Sequence, residues 1–243
     1  MQRAVLPPTP TARRLTVERL SRFEDGEELS ALVWRAGPGW RMVSSAVLGG
    51  GVGERLWVLN AQVCHGYQRL DPAEHLGEVA AAAGLTGAGV GLMTAADVAA
   101  HAQAGDGGVD AVVTAGIEVR GWAAAPADPP GTNGSFAPGT INVLATIPAA
   151  LSDAALVNAV ATATEAKVQA LVEAGLDCSG TPTDAVCVAA RVPRPGEDVH
   201  AFAGPRSLWG ARLARAVHRA VLAALPGPAA PPGSFLGEQP GPH

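Results

Sequence analysis

Lysine is nearly absent from this sequence: among seventeen basic residues in 243, the only lysine is Lys167. The formal net charge is −5, and the arginines do not gather into a basic stripe. A protein that binds a nucleic-acid backbone needs clustered positive charge, so we exclude DNA or RNA as the main partner. We expect a small-molecule partner, and a homo-oligomer stays open.

Long apolar runs and paired cysteines are missing as well. No segment approaches the roughly 20 consecutive apolar residues of a membrane span, and the N-terminus lacks the apolar core of a secretion signal. Cys64, Cys178 and Cys187 form neither a CxxC pair nor a set with histidines at zinc spacing. We therefore expect a cytoplasmic protein with no membrane contact, no disulfide framework and no metal site.

Aromatic and charged residues are also scarce, at 4% and 16%, whereas hydrophobic residues make up 48%. Strand-like and helix-like segments alternate irregularly. This pattern predicts a single domain over residues 10–225, of α/β or α+β class, with a mixed β-sheet and packed helices. Proline and glycine dominate both ends, which predicts disordered tails at 1–9 and 226–243. The loop Ala123–Pro138 is expected to be a lid or a disordered excursion.

The segment Ser152–Ala174 has the periodicity of one long helix. At about 100° per residue, Lys167 falls in the apolar stripe with Leu156 and Leu171, whereas Glu165 falls on the polar side. A buried ammonium must be paired or lose its proton, and both states are useful in catalysis. Two interpretations stay open: an active-site lysine, and a side chain that snorkels out of the stripe or forms a structural ion pair.

Polar residues at the ends of predicted strands supply further candidates. Asp184 opens the strand Asp184–Val192 and could face Lys167 if the helix packs on that strand, or it could cap the preceding turn. We expect catalysis to involve Lys167, Asp184, Asn60, Asn142, Thr183 and Glu165. Thr94, Thr114 and Thr140 are expected to bind substrate.

Two adjacent serines precede a glycine run. In a strand, Ser44 and Ser45 point to opposite faces, so one of them is expected to face inward. Gly49, Gly50 and Gly51 follow and would allow a ligand to approach the backbone closely; the alternative is a tight hairpin. All five residues are expected to contact substrate.

Longer strings point to a family. SSAVLGGG (44–51), LNAQV (59–63), GLMTAADV (91–98) and VVTAGI (112–117) occur in order. GTINVLATIPAALSDAALVNAVATATEAKVQAL (139–171) and TPTDAVCVAA (181–190) follow. Together they resemble the adenosylcobinamide amidohydrolase family of corrinoid salvage, and the resemblance runs from Ser44 to Val221. The most specific part is the ordered block GTIN, LS, TEAK and TD.

One segment departs from the pattern that the resemblance leads us to expect. Near the last helix a Gly-x-His segment is expected, whereas this chain reads Gly204-Pro205-Arg206-Ser207. Arg206 cannot replace a histidine as a base, although it could bind a substrate amide or an acid product.

The resemblance implies hydrolysis of one amide of adenosylcobinamide. This amide joins a propionyl side chain of the corrin ring to aminopropanol, so the products would be adenosylcobyric acid and 1-amino-2-propanol. The acid would re-enter cobalamin (vitamin B12) biosynthesis. No cofactor of the protein's own is implied, because cobalt arrives with the corrinoid substrate.

Several alternatives stay open beside this one. The attacking group could be water or the hydroxyl of Ser45, Thr140 or Thr183. The chain could also cleave itself before Thr140 and use the new N-terminal threonine as nucleophile. A non-catalytic corrinoid-binding protein would use the same pocket without chemistry, and a structural or oligomerisation module would use Lys167 in a buried ion pair.

Overall fold

The computed structural model describes residues 15–126 and 139–226. The elements in these residues are β1 (Glu18–Glu24), β2 (Glu27–Trp34), β3 (Trp40–Ser44), β4 (Gly51–Glu54), β5 (Trp57–Gln62), α1 (Pro72–Ala82), β6 (Gly89–Thr94), β7 (Ala102–Asp106), β8 (Val109–Ala115), β9 (Ile141–Ala150), α2 (Asp153–Glu173), β10 (Ala185–Arg191) and α3 (Leu208–Ala224). The predicted mixed α+β fold is confirmed.

The strands form two mixed sheets rather than one. The smaller sheet has the order β1-β2-β5-β6, and the larger has the order β4-β3-β10-β9-β8-β7. The pairs β5–β6 and β9–β10 are parallel, and the other neighbouring pairs are antiparallel. A bridge between Leu48 and Gly91 links the turn after β3 to the smaller sheet.

The molecule has four layers, because the two sheets pack face to face and each carries helices outside. Side chains from both sheets fill the space between them, including Trp34, Met42, Leu92 and Leu144. Helices α2 and α3 cover the outer face of the larger sheet, and α1 covers the outer face of the smaller one. The larger sheet is therefore covered on both faces, which accounts for the almost continuously buried residues of β9.

Serine side chains fix the starts of the two longer helices. Ser152 accepts a hydrogen bond from Ala155 N, and Ser207 accepts one from Gly210 N. Caps of this kind each contribute about 1 kcal/mol. Asp71 stands at the equivalent position of α1 but makes no such bond, since its carboxylate binds Arg69 instead.

The glycine run forms a hairpin, the alternative left open above. Gly51 begins β4 and pairs with Ser44 of β3. Gly49 has a positive φ of 67°, and a Cβ at this position would lie 1.9 Å from the carbonyl oxygen of Gly89. Glycine is therefore required at this position by the turn and by the neighbouring strand.

Part of the predicted organisation lies outside the described residues. This applies to the tail 1–9, to 227–243 of the second tail, and to most of the predicted lid. The described beginning of the lid, at Ala123, is held by a hydrogen bond from its backbone N–H to Ser179 Oγ.

Candidate active site

A cavity of about 510 Å³ opens where strands of both sheets end. The ends of β3, β5 and β6 meet the starts of β9 and β10 there. The polar residues that line it are Ser45, His65, Tyr67, Thr94, Thr140, Thr183 and Asp184. Its size is within the usual range of small-molecule sites, and its apolar wall with a few converging polar groups is also typical of them.

A buried ion pair lies at the wall of this cavity. Lys167 Nζ, in the middle of α2, donates a hydrogen bond to Asp184 Oδ2. The Lys167 side chain is 7% exposed and that of Asp184 is 13% exposed. Asp184 lines the cavity, and Lys167 lies behind it. The predicted contact between the lone lysine and the residue that precedes β10 is confirmed.

The carboxylate of Asp184 is held by several donors in addition to the lysine. Its Oδ1 accepts from Ile141 N at 2.9 Å and from the Thr181 hydroxyl at 2.6 Å. Its Oδ2 accepts from Thr181 N at 3.3 Å. The carboxylate therefore has two acceptor contacts on each oxygen, which fixes its orientation.

Gly180 packs directly over this ion pair. A Cβ at Gly180 would lie 2.2 Å from Asp184 Oδ2 and 2.5 Å from Lys167 Nζ. The turn that carries Gly180 is tied to Gly121 by a backbone hydrogen bond of 3.0 Å. Any side chain at Gly180 would therefore displace one of the two charged groups.

Two threonine hydroxyls meet beside Asp184. Thr140 Oγ1 and Thr183 Oγ1 are 2.6 Å apart, and Thr183 Oγ1 donates to the Gly139 carbonyl at 3.1 Å. Because a hydroxyl has one hydrogen, Thr140 is the donor in the contact between them. Both residues line the cavity, so the structure brings these two predicted residues together with Asp184.

The two serines point to opposite sides, as the strand pattern predicted. Ser44 is buried and accepts from Ala46 N at 3.0 Å. Ser45 lines the cavity, and its Oγ accepts from Val186 N at 3.1 Å. Of the pair, only Ser45 can reach a ligand in the cavity.

The predicted asparagines form a buried network between the sheets. Asn142 Nδ2 donates to Asn60 Oδ1 at 2.8 Å and to the Met93 carbonyl at 3.0 Å, and Asn60 Nδ2 donates to Thr114 Oγ1 at 2.9 Å. Both asparagines line a separate cavity of about 10 Å³. Asn142 Oδ1 is buried without a hydrogen-bond partner in the described residues.

The remaining predicted residues are divided between the cavity and the surface. Thr94 lines the cavity, and its hydroxyl oxygen accepts from Ala96 N at 3.0 Å. Glu165 is exposed on the polar side of α2. Arg206 is also exposed, immediately before the cap of α3.

The glycine run makes its polar contacts with an arginine. The carbonyls of Gly49 and Gly50 accept hydrogen bonds from Arg55 at 3.2 and 3.5 Å. The part of this turn that lines the cavity is Ser45–Val47, and none of the three predicted glycines is among the lining residues.

Two further cavity residues, His65 and Tyr67, are not among the candidates predicted from the sequence. Both follow β5 and line the cavity. The signal that could have identified Tyr67 is its uniqueness, since it is the only tyrosine of the chain.

The described residues contain no cluster of three or more His, Cys, Asp or Glu side chains that could hold a metal ion. Over the same ranges, no helix combines the length and apolar character required to cross a bilayer. The three cysteines are free, and Cys178 and Cys187 are buried.

Comparison with known proteins gives consistent matches. A sequence model of the family described as adenosylcobinamide amidohydrolase matches residues 15–228. A protein of that name from Methanosarcina mazei is 31% identical over 188 residues, which are 74% of this chain and 88% of the relative. Another from Halobacterium salinarum is 40% identical over 123 residues, which are 49% of this chain and 51% of that relative. The chain therefore belongs to the adenosylcobinamide amidohydrolase family.

Proposed function

We propose that this protein hydrolyses the amide between the corrin propionyl side chain of adenosylcobinamide and aminopropanol. The products are adenosylcobyric acid and 1-amino-2-propanol. Family membership supports the choice of substrate and bond. The observation that carries the chemistry is the buried Lys167–Asp184 pair at the wall of a cavity of about 510 Å³.

Asp184 positions the lysine in this proposal. Each carboxylate oxygen already accepts two hydrogen bonds, so it has no free acceptor site for the proton of a nucleophile. A carboxylate satisfied in this way is a poor general base. It serves instead to hold Lys167 at a fixed place behind the cavity wall.

Lys167 supplies positive charge in the proposed mechanism. When water adds to an amide carbon, negative charge develops on the amide oxygen, and a fixed cation nearby stabilises that charge. We prefer this role to that of a base because the ammonium group is paired with a carboxylate. Lys167 lies behind Asp184, so its charge acts across the cavity wall and does not form a direct hydrogen bond to the oxyanion.

Ser45 supplies the hydroxyl that orients the reacting amide in this proposal. Thr140 and Thr183 are committed to each other and to the Gly139 carbonyl. Ser45 accepts a backbone hydrogen bond, which leaves its own proton for a ligand. We therefore assign Ser45 as a donor to the substrate and water as the attacking group.

The size of the cavity suggests how the substrate enters. A volume of about 510 Å³ suits the amide-bearing side chain and the adjoining edge of the macrocycle, with the rest of the corrin at the mouth. The half-exposed Val47 lies on this rim and offers an apolar contact.

The proposal includes no cofactor of the protein's own, since the cobalt is part of the substrate. The unpaired thiols support a cytoplasmic location.

Mass spectrometry of the purified protein incubated with adenosylcobinamide tests this proposal. Equimolar adenosylcobyric acid and 1-amino-2-propanol are the expected products. Unchanged substrate that co-elutes with the protein would instead establish the non-catalytic binding protein.

A further inference from the structure

His75 connects a carboxylate to a phenol at the edge of the cavity. It lies on α1 and is only 3% exposed. Its Nε2 is 2.9 Å from Glu24 Oε1, and its Nδ1 is 3.1 Å from the Tyr67 hydroxyl. The Tyr67 and His75 rings are stacked, with centroids 5.5 Å apart and planes inclined by 12°.

The partners of the imidazole fix the direction of its hydrogen bonds. A carboxylate only accepts, so Nε2 carries the hydrogen that faces Glu24. In the neutral ring, Nδ1 is then an acceptor, and the Tyr67 hydroxyl donates to it. The carboxylate thus orients the imidazole, and the imidazole accepts from the hydroxyl. The same order of orienting group, base and hydroxyl is used to activate a hydroxyl in nucleophilic catalysis.

Glu24 is held in place from its other side. Arg22 Nε donates to Glu24 Oε2 at 2.7 Å, and Arg22 Nη2 donates to the Gln62 carbonyl at 2.6 Å. The nearby carboxylates Asp71 and Glu78 are bound to Arg69 instead. Of these three carboxylates, Glu24 is the one that contacts His75.

Tyr67 faces the cavity that contains Asp184 and Thr140. Burial raises the pKa of the Tyr67 phenol above its ordinary value of 10.0, and the charges of Asp71 and Glu24 raise this pKa further, against the opposing effect of Arg69. The phenol is therefore protonated at neutral pH. The roles proposed for Lys167, Asp184 and Ser45 do not use this network, although it ends at the proposed site.

We propose that Tyr67 is a catalytic residue of the amidase, with His75 and Glu24 as positioning residues that form a proton relay to it. This inference rests on the proposed function. As the oxygen of the attacking water bonds to the amide carbon, one water proton passes to the Tyr67 oxygen, and the Tyr67 proton passes to His75 Nδ1.

The second half of the reaction reverses the relay. When the C–N bond breaks, the leaving nitrogen takes a proton from Tyr67, and His75 returns its proton to Tyr67. Water is consumed, the imidazolium exists only between the two steps, and Glu24 stabilises its charge. General acid–base catalysis of this kind contributes about 10²–10⁴ in rate.

Steady-state kinetics of three variants test the relay. Tyr67→Phe retains the stacked ring and removes the hydroxyl, and His75→Gln and Glu24→Gln remove the groups behind it. We expect kcat to fall about 100-fold or more in Tyr67→Phe, with KM and the Kd for adenosylcobinamide changed less than about threefold. His218→Gln is the matched control, since it removes the His218–Glu173 pair of 2.7 Å, which lies outside the cavity. Turnover by Tyr67→Phe within about twofold of the wild type would overturn the proposal.

A spectroscopic measurement separates failure of the relay from failure of the proposed function. Tyr67 is the only tyrosine, so the ultraviolet absorbance of phenolate reports its ionisation directly. We expect a pKa above 10.0 in the wild type and a lower value in Glu24→Gln, because that substitution removes a negative charge that raises the pKa of the phenol. Identical titrations in the two proteins would reject the network whether or not the wild type is an amidase. If the titrations of the wild type and Glu24→Gln differ but the wild type shows no turnover, the network is present in the protein. The catalytic role of the network and the proposed function would then both be rejected.

Discussion

Lys167 Nζ is hydrogen-bonded to Asp184 Oδ2, and this contact joins the middle of helix α2 to the residue before β10. The single lysine of the chain is thereby fixed beside the cavity. Both partners are largely buried, so the contact differs from the exposed pair between Arg41 of β3 and Asp153 at the start of α2. Exposed pairs of that kind typically contribute about 0–1 kcal/mol.

Lys167→Met is expected to lower kcat about 100-fold or more, because it removes the positive charge behind the cavity wall and also a donor that holds Asp184 in place. It also leaves Asp184 buried without its cation, which destabilises by about 3–5 kcal/mol. Adding Asp184→Asn removes the unpaired charge and should restore part of the stability without restoring turnover. Arg41→Met serves as the control, with near wild-type turnover. Normal turnover in folded Lys167→Met would contradict the assigned role.

Gly180→Ala is expected to reduce both turnover and stability, because its Cβ would lie 2.2 Å from Asp184 Oδ2. Gly175→Ala is the matched control: Gly175 also has a positive φ, of 79°, but a Cβ there meets no atom within 4 Å. The control should lose about 1 kcal/mol of stability and keep its activity. Urea denaturation and turnover of the two variants, measured side by side, check this expectation. Equal activity in both would show that Gly180 does not control the ion pair.

Asn142→Leu is expected to destabilise the fold by about 1–3 kcal/mol, because the change leaves Asn60 Oδ1 and the Met93 carbonyl buried without this donor. The control is Thr164→Ala, which removes an exposed hydroxyl that bonds within α2. Chemical denaturation measures both free energies of unfolding. A change of less than about 0.5 kcal/mol in Asn142→Leu would mean that the network does not stabilise the packing of the sheets.

The chain is expected to remain uncleaved before Thr140. Self-cleavage would require a base within hydrogen-bond reach of the Thr140 hydroxyl, and its side-chain contact within the described residues is Thr183 Oγ1. Intact mass spectrometry of purified protein should therefore give one species at 24.4 kDa. A fragment that begins at Thr140 would instead establish an N-terminal threonine nucleophile.

Thiol labelling is expected to modify Cys64 rapidly in the folded protein, because it is the one partly exposed cysteine, while Cys178 and Cys187 are buried. Burial also raises the pKa of the Cys187 thiol from 9.0 to about 12. Cys187 therefore keeps its proton in the folded protein at a pH where the same thiol ionises in the unfolded chain. The free energy of unfolding accordingly falls as the pH rises through that interval. Denatured protein should react at all three thiols, and Cys64→Ser should remove the fast reaction. Rapid labelling of Cys187 in native protein would contradict this burial.

The Lys167–Asp184 contact could be predicted because it depends on local pattern. The period of α2 places the lysine in the apolar stripe, and the chain leads directly from that helix to the strand that follows Asp184. The opposite orientations of Ser44 and Ser45 follow from the same kind of local rule.

The division into two sheets could not be predicted, because it depends on contacts between distant segments such as Leu48 and Gly91. The network of Glu24, His75 and Tyr67 was missed for a related reason. Its members come from a β-strand, a helix and a loop, and β1 has a largely polar sequence without a buried face. Polar edge strands of this kind carry little of the apolar alternation from which strands are predicted.

Hydrolysis of adenosylcobinamide in water enriched in ¹⁸O tests the central claim most directly. If water attacks the amide carbon and the C–N bond breaks, adenosylcobyric acid should gain one labelled oxygen, about 2 mass units, while 1-amino-2-propanol stays unlabelled. Lys167→Met should form the same labelled product at least about 100-fold more slowly. Recovery of unchanged adenosylcobinamide from the wild-type protein would contradict the proposed function.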